Sequence, residues 1–178
     1  MEVNKIQYIG FFKRILIYLV EMLGLLVPMI FLYQMTTRLA IEYQSILIIY
    51  FKWILVFGVN LFLLVLFGGG IGKLIFGVRV VNSKGNYPTL LQALIRYSPI
   101  MVSGMISATN EVRSYEFGFD LSGYIYNVLS ICIIIFIIFD VVSILLNKEK
   151  RAVHDFMADT YVISRKSKDK FKQQTLEG

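Results

Sequence analysis

The sequence predicts an all-α membrane protein, a four-transmembrane-helix bundle with a small cytoplasmic β-hairpin-like element and both termini cytoplasmic. Three observations lead there. Apolar residues make up 57% of the 178, and mean hydropathy is +0.67, against roughly 45–50% apolar in a soluble domain. Runs long enough to cross a bilayer recur along the chain. The net charge of +6 is carried at the flanks of those runs, where Lys and Arg anchor and orient a membrane protein. That distribution argues for a lipid bilayer as partner and against nucleic acid.

The spans are expected at about 15–33, 45–67, 90–107 and 123–146. The third is the least apolar, since it holds Arg96, Ser98, Pro99 and Ser103. Charge decides whether it counts. Residues 1–14 carry net +2, 68–89 net +3 and 147–178 net +3, whereas 34–44 is neutral and 108–122 carries −2. Four spans put every basic segment on the cytoplasmic side, as the positive-inside rule requires; three would strand the basic tail outside. Glu21 interrupts the first apolar run and no small-residue cleavage site follows, so that run is expected to be retained rather than cleaved as a signal peptide. Residues 9–164 form the expected transmembrane domain, and 165–178 a basic, polar, disordered tail.

Four ionisable residues fall within the spans, Glu21, Lys52, Arg96 and Asp140, and they sum to zero. Each costs roughly 2.5–3.5 kcal/mol at a helix centre, so partners are expected. At about 1.5 Å per residue, Glu21, Asn60 and Asp140 lie about 10 Å from the cytoplasmic ends of their spans, and Arg96 about 9 Å. Lys52 falls in the outer half, where its stem can snorkel. Arg14, Tyr18 and Glu21 recur at helical spacing along one face. Two readings follow. In one, Arg14, Glu21, Asn60, Arg96 and Asp140 form a buried site that binds a cation or passes a proton. In the other, the two acids and two arginines neutralise one another and lock the bundle.

After the second span comes "FGGGIGKLIFGVRVVNSKGNYP". Its glycines do not make a phosphate loop, because Phe67 stands where that motif needs Gly and Leu74 where it needs Ser or Thr. They suit a sharp helix exit. "VRVV" followed by "NSKGN" reads as a strand and turn, and "TYVIS" as a second strand that pairs with it. His154-Asp155 could be a base with its orienting group. No Ser or Cys nucleophile accompanies it, and Val153, Phe156 and Met157 suit an interfacial helix. With one His and one Cys, Cys132, neither a zinc cage nor an intrachain disulfide is expected. No cofactor and no enzymatic activity are expected.

Taken in order, these residues resemble the RDD family of bacterial membrane proteins, from about residue 9 to 164. Arg14 and Glu21 stand at the arginine and first aspartate of the family's first helix, the acid here being one methylene longer. "GKLIFGVRVVNSKGNYP" is similar to the segment after its second helix, through Gly72, Lys73, Gly77, Val80, Val81, Gly85 and Pro88. Arg96 in "ALIRYSP", Asp140, and Arg151, His154, Asp155 and Thr160 in "RAVHDFMADTYVI" complete the pattern. The resemblance implies a polytopic helical protein of the bacterial cytoplasmic membrane. It also implies a role in transport, and the in-span carboxylates Glu21 and Asp140, poised by Arg14 and Arg96, point to a small ion or solute, proton- or cation-coupled. A homo-oligomer or other membrane subunits would then complete the path. The alternative is a non-enzymatic accessory (an exporter subunit, assembly factor or immunity protein) in which the cluster is structural.

Overall fold

A computed structural model describes residues 6–114 and 123–177. Helix α1 runs Phe11–Glu42 and turns through residues 43–45 into α2, Ile46–Phe67. Such a short connection makes the two helices antiparallel neighbours. A short helix α3, Ile71–Ile75, leads to strand β1, Val78–Asn82. Two further long helices follow, α4 at Leu90–Ser114 and α5 at Gly123–Leu146. The chain closes with α6 at Val153–Met157, strand β2 at Thr160–Ser164, a 3₁₀ turn at Arg165–Ser167 and α7 at Lys168–Glu177.

The four long helices correspond to the four expected spans, but α1 and α4 extend further. The connections expected at 34–44 and 108–122 are helical through Glu42 and through Ser114. The acidic residues Glu116 and Asp120 lie outside the described residues. Phe11–Glu42, Ile46–Ile75 and Asn127–Leu146 are long and apolar enough to cross a membrane. Their flanks carry large exposed side chains such as Val27, Phe62 and Ile138, a surface suited to hydrocarbon rather than to water. At 25 residues α4 reaches about 38 Å, but its polar residues lower its hydropathy.

The exit from α2 is made by Gly68, whose φ of +73° is left-handed and whose N–H bonds the Leu64 carbonyl at 2.9 Å. A side chain there would meet the Tyr87 ring at 2.7 Å. The chain then doubles back so that α3 lies on α1. A Cβ on Gly72 would stand 2.9 Å from the Glu21 Cβ and 3.0 Å from the Ile17 carbonyl oxygen.

Strands β1 and β2 pair antiparallel, with Val80 opposite Val162. They are not a local hairpin, because the whole α4–α5 pair separates them in the chain. Residues 7–9 run along the other edge of β2, with Ile9 N–H on the Val162 carbonyl and Ser164 N–H on the Gln7 carbonyl, both at 3.0 Å. The sheet caps one end of the bundle, where Ile9, Ile17, Leu64, Val78, Val80, Ala93 and Val162 form a core. A second core, Ala40, Ile49, Ala108 and Val112, sits near the α1–α2 turn at the other end.

The tail expected to be disordered is instead helical through Glu177. Its hold is Phe171, which is buried against Val81 and Ile163 on the outer face of the sheet. One aromatic anchor in a polar segment leaves too little apolar periodicity to read from sequence. Phe171→Ala should release α7 and raise amide exchange there and along β2, with a loss of about 3 kcal/mol or more. Hydrogen-exchange mass spectrometry checks it; unchanged protection would show that Phe171 is not the anchor.

Candidate functional site

The most heavily bonded charge in the protein belongs to Asp155, on the one-turn helix α6, whose side chain is fully buried. Its Oδ2 accepts from Arg14 Nη1 at 2.8 Å and from the Ala152 N–H at 3.0 Å. Its Oδ1 accepts from Arg96 Nη1. Each arginine is tied further. Arg14 donates to the Ile9 carbonyl at 3.1 Å and to the Lys150 carbonyl at 2.6 Å. Arg96 donates to Thr160 Oγ1 at 2.7 Å. One carboxylate therefore joins α1, α4, α6 and the start of β2.

Arg151 braces the same turn from below. It donates to the carbonyls of Thr160 and Asp155 and to the Tyr161 hydroxyl. Its guanidinium lies between the Phe156 and Tyr161 rings, 4.2 and 4.1 Å from their centroids. Burial alone would push the Asp155 pKa up. Arg96 and then Arg14 outweigh it and hold the carboxyl well below the usual carboxylate range.

This geometry corrects the pairing expected among the in-span charges. Arg14 and Arg96 do meet, but on Asp155 rather than on Glu21 or Asp140. Arg14 starts the second turn of α1 and reaches toward the sheet, away from Glu21 two turns on. Asp140 is held by His154: its Oδ1 accepts the His154 N–H at 3.1 Å, and its Oδ2 accepts from Nδ1–H of the ring. The His154 Nε2 lies 3.5 Å from Asp155 Oδ1. Thus His154-Asp155 is not a free-standing interfacial pair, although Phe156 and Met157 beside it do expose an apolar edge. Lys52 does not snorkel. It is buried and bonds both Glu111 carboxylate oxygens, at 2.8 and 2.7 Å, at the far end of the bundle.

Glu21 and Asn60 fall in a different place. They line a cavity of about 460 Å³ between α1, α2 and α4, together with Tyr18, Lys73, Trp53 and Tyr97. Among the described residues Glu21 has no hydrogen-bond or ion-pair partner. Asn60 Nδ2 donates to the Val56 carbonyl at 2.9 Å, and its oxygen has no hydrogen bond among the described residues. Trp53 Nε1 is buried without a partner among the described residues. Lys73 lies over the Tyr18 ring at 5.2 Å and makes no ion pair with Glu21. A second cavity, about 380 Å³, lies between α1, α4 and α5, and Tyr18 and Lys73 stand between the two. Of the glycines singled out in the sequence, Gly72 packs under Glu21. Gly77 turns α3 into β1, and Gly85 turns the chain after β1.

Sequence reasoning put Asp155 in the closing motif but did not find its role. The in-span charges already balanced, so nothing required a fifth partner from outside the spans. Lys73 was likewise seen only as part of the glycine-rich segment.

A helical bundle with membrane-length apolar helices, capped by a two-stranded sheet and pinned by a buried arginine–aspartate cluster, defines a polytopic membrane-type domain. The RDD family model matches residues 8–159, and the chain belongs to that family. No match was found among curated proteins or among solved structures.

Two outcomes follow from the hub. Asp155→Asn leaves two buried arginines uncompensated and should cost about 3–5 kcal/mol in denaturant unfolding in detergent. Arg96→Leu and Asp155→Asn should couple by about 1–3 kcal/mol, whereas Arg96→Leu with Asp140→Asn should be additive within about 0.5 kcal/mol. Coupling to Asp140 instead would overturn the assignment.

The second outcome concerns acid. Because the Asp155 pKa is lower in the folded state, its stabilisation is present in full above the unfolded carboxyl value of about 3.9 and is lost as pH falls below it. As pH falls below about 4 the wild type should lose stability faster than Asp155→Asn. Parallel pH profiles would show that Asp155 is not the titrating group.

Proposed function

We propose that the protein is a non-enzymatic, four-span carrier of the bacterial cytoplasmic membrane. It binds a small cation or cationic solute at Glu21 and exchanges it across the bilayer, with both termini cytoplasmic. The observation that carries this reading is the Glu21 carboxylate, unpartnered among the described residues, in a cavity lined by further oxygens. Intramembrane ionisable groups facing a cavity mark ion and substrate pathways. Tyr18, Tyr97 and Asn60 add oxygen donors to the single carboxylate, a set suited to a hard monovalent ion or an ammonium group. Lys73 shares the cavity and supplies a tethered cation that can turn to Glu21 when the ligand leaves. Arg14, Arg96 and Asp155 hold the bundle and are not part of the path.

The topology has separate support. Residues 7–9 and the segment from β2 to α7 pack on the same sheet, which supports an even number of spans. Two of the charges that make α4 less apolar are paired, Arg96 with Asp155 and Glu111 with Lys52. Pairing lowers the cost of burying α4 among the other spans. The open middle of a four-helix scaffold favours work as an oligomer or beside other membrane subunits. The accessory reading, in which the polar cluster is structural, draws on the arginine–aspartate hub alone and leaves the Glu21 cavity unexplained.

Two experiments test these points. In protein reconstituted in liposomes, Glu21→Gln should abolish pH-dependent cation flux, and Glu21→Asp should keep part of it. Trp53, the single tryptophan, lines the same cavity, so cation binding should change its fluorescence in the wild type and not in Glu21→Gln. Equal flux by Glu21→Gln and wild type would rule out the carboxylate and favour the accessory role. For topology, in a Cys132→Ser background, Asn110→Cys should react with an impermeant thiol reagent on intact cells and Lys170→Cys should not. Labelling at Lys170→Cys would sink the four-span arrangement.

A further inference from the structure

The second cavity is a site of a different kind, and the argument for it does not depend on Glu21, which does not line it. The long helices pack in the order α1, α2, α4, α5, and of the contacts around that ring the one between α5 and α1 is the thinnest, leaving a seam between them. The cavity occupies that seam. Its walls are apolar: Ile15 of α1, Ile100 of α4, and Ile133, Phe136, Ile137 and Ile144 of α5. Its charged side chains, Arg14, Lys73, Arg96 and Asp140, and His154 gather toward the sheet end, and Ser103 and Tyr18 add hydroxyls.

The charges there do not balance. Arg14 and Arg96 are both spent on Asp155, and Asp140 is held by His154. Lys73 is left with only the Tyr18 ring and no carboxylate among the described residues. On this side of Lys73, three cations (Arg14, Arg96 and Lys73) face two carboxylates (Asp140 and Asp155), an excess of one positive charge when His154 is neutral, and Glu21 lies in the other cavity. A long apolar slot ending in one unmatched cation is complementary to an amphiphile with an anionic head.

We propose that the α1–α5 seam binds one anionic phospholipid, with an acyl chain along Ile133, Phe136 and Ile137 and the phosphate on Lys73. The alternatives fit less well. A transmembrane helix from a second copy would cover the apolar walls but leave Lys73 without a counter-charge. Free phosphate would satisfy Lys73 and leave the walls uncovered. A zwitterionic lipid would bring its own cation into an already positive site. Lipid in this seam would fill the gap that α1 and α5 leave, completing the bundle without another protein chain. Because Lys73 also borders the Glu21 cavity, a lipid phosphate would hold its ammonium on the seam side, away from Glu21.

The test is native mass spectrometry of delipidated protein in neutral detergent, mixed with phosphatidylglycerol, phosphatidylcholine or inorganic phosphate. The wild type should retain one phosphatidylglycerol per chain, with a preference over phosphatidylcholine of about fivefold, the scale expected for one basic residue near an anionic lipid. Lys73→Gln should remove that preference and Lys73→Arg should keep it. Ile137→Trp, which fills the slot, should remove both lipids, while Lys13→Gln, at an exposed lysine outside the cavity, should bind as the wild type. Thermal unfolding verifies each variant's fold. If Lys73→Gln does not fold, the wild-type lipid preference and Ile137→Trp decide.

Equal retention of the two lipids by the wild type would overturn the proposal. So would an unchanged preference in folded Lys73→Gln, retention by Ile137→Trp, binding of inorganic phosphate alone, or a dimer that excludes lipid. Flux loss in Glu21→Gln is a separate result, since Glu21 borders only the other cavity and Ile137 only this one.

Discussion

A carboxylate with no access to water must be matched by charge and hydrogen bonds, and Asp155 meets that condition by drawing in two arginines from different helices. Each guanidinium then reaches onward, Arg14 to the carbonyls of Ile9 and Lys150 and Arg96 to Thr160. The start of α1, the second turn of α4, the short helix α6 and the edge of the sheet are thereby set in one geometry. Such a cluster contributes little net stability against a well-packed apolar alternative, yet losing any one member is costly. Its value here is positional, because it fixes where three helices begin relative to one another.

The rest of the bundle follows from that pinned end. The sheet and the N-terminal strand segment close beneath it, and the first apolar core fills in above. At the opposite end, Lys52 and Glu111 make a second buried pair beside the second core. Between the two ends the helices are joined mainly by α2 against α4 and α1 against α2, and the interior opens into cavities. The protein is packed tightly at its ends and loosely in its middle. The ion-paired charges lie at the ends, and Glu21, without an ion-pair or hydrogen-bond partner among the described residues, lies in the open region.

The glycine-rich segment after α2 connects these two zones. Gly68 turns the chain back, and Gly72 lets α3 press against α1 beneath Glu21. Lys73, the next residue, is thereby brought to the partition between the two cavities. A segment that looks like a phosphate loop at first sight is a device for carrying one lysine back into the bundle. In this arrangement Arg14 and Arg96 end on Asp155, and Lys73 and Glu21 face the cavities.

Some of this was legible from residues alone. Long apolar runs, basic flanks and short turn-rich segments determine that the chain forms long helices suited to a bilayer. Alternating β-branched residues in "VRVV" and "TYVIS" were enough to place and pair the two strands, because each must bury one face. The order of motifs was enough to identify the family. The partners of the charges were not legible. Helical spacing says which residues share a face of one helix, but Arg14 and Arg96 could each reach Glu21, Asp140 or Asp155, and a balanced set of in-span charges concealed the answer. Only the tertiary structure decided it, since the folding of α6 beneath the bundle, directed by backbone contacts far apart in sequence, brings Asp155 to the point where both arginines end. The same long-range placement turned Lys73 inward and docked α7 through Phe171, neither of which any local pattern encodes.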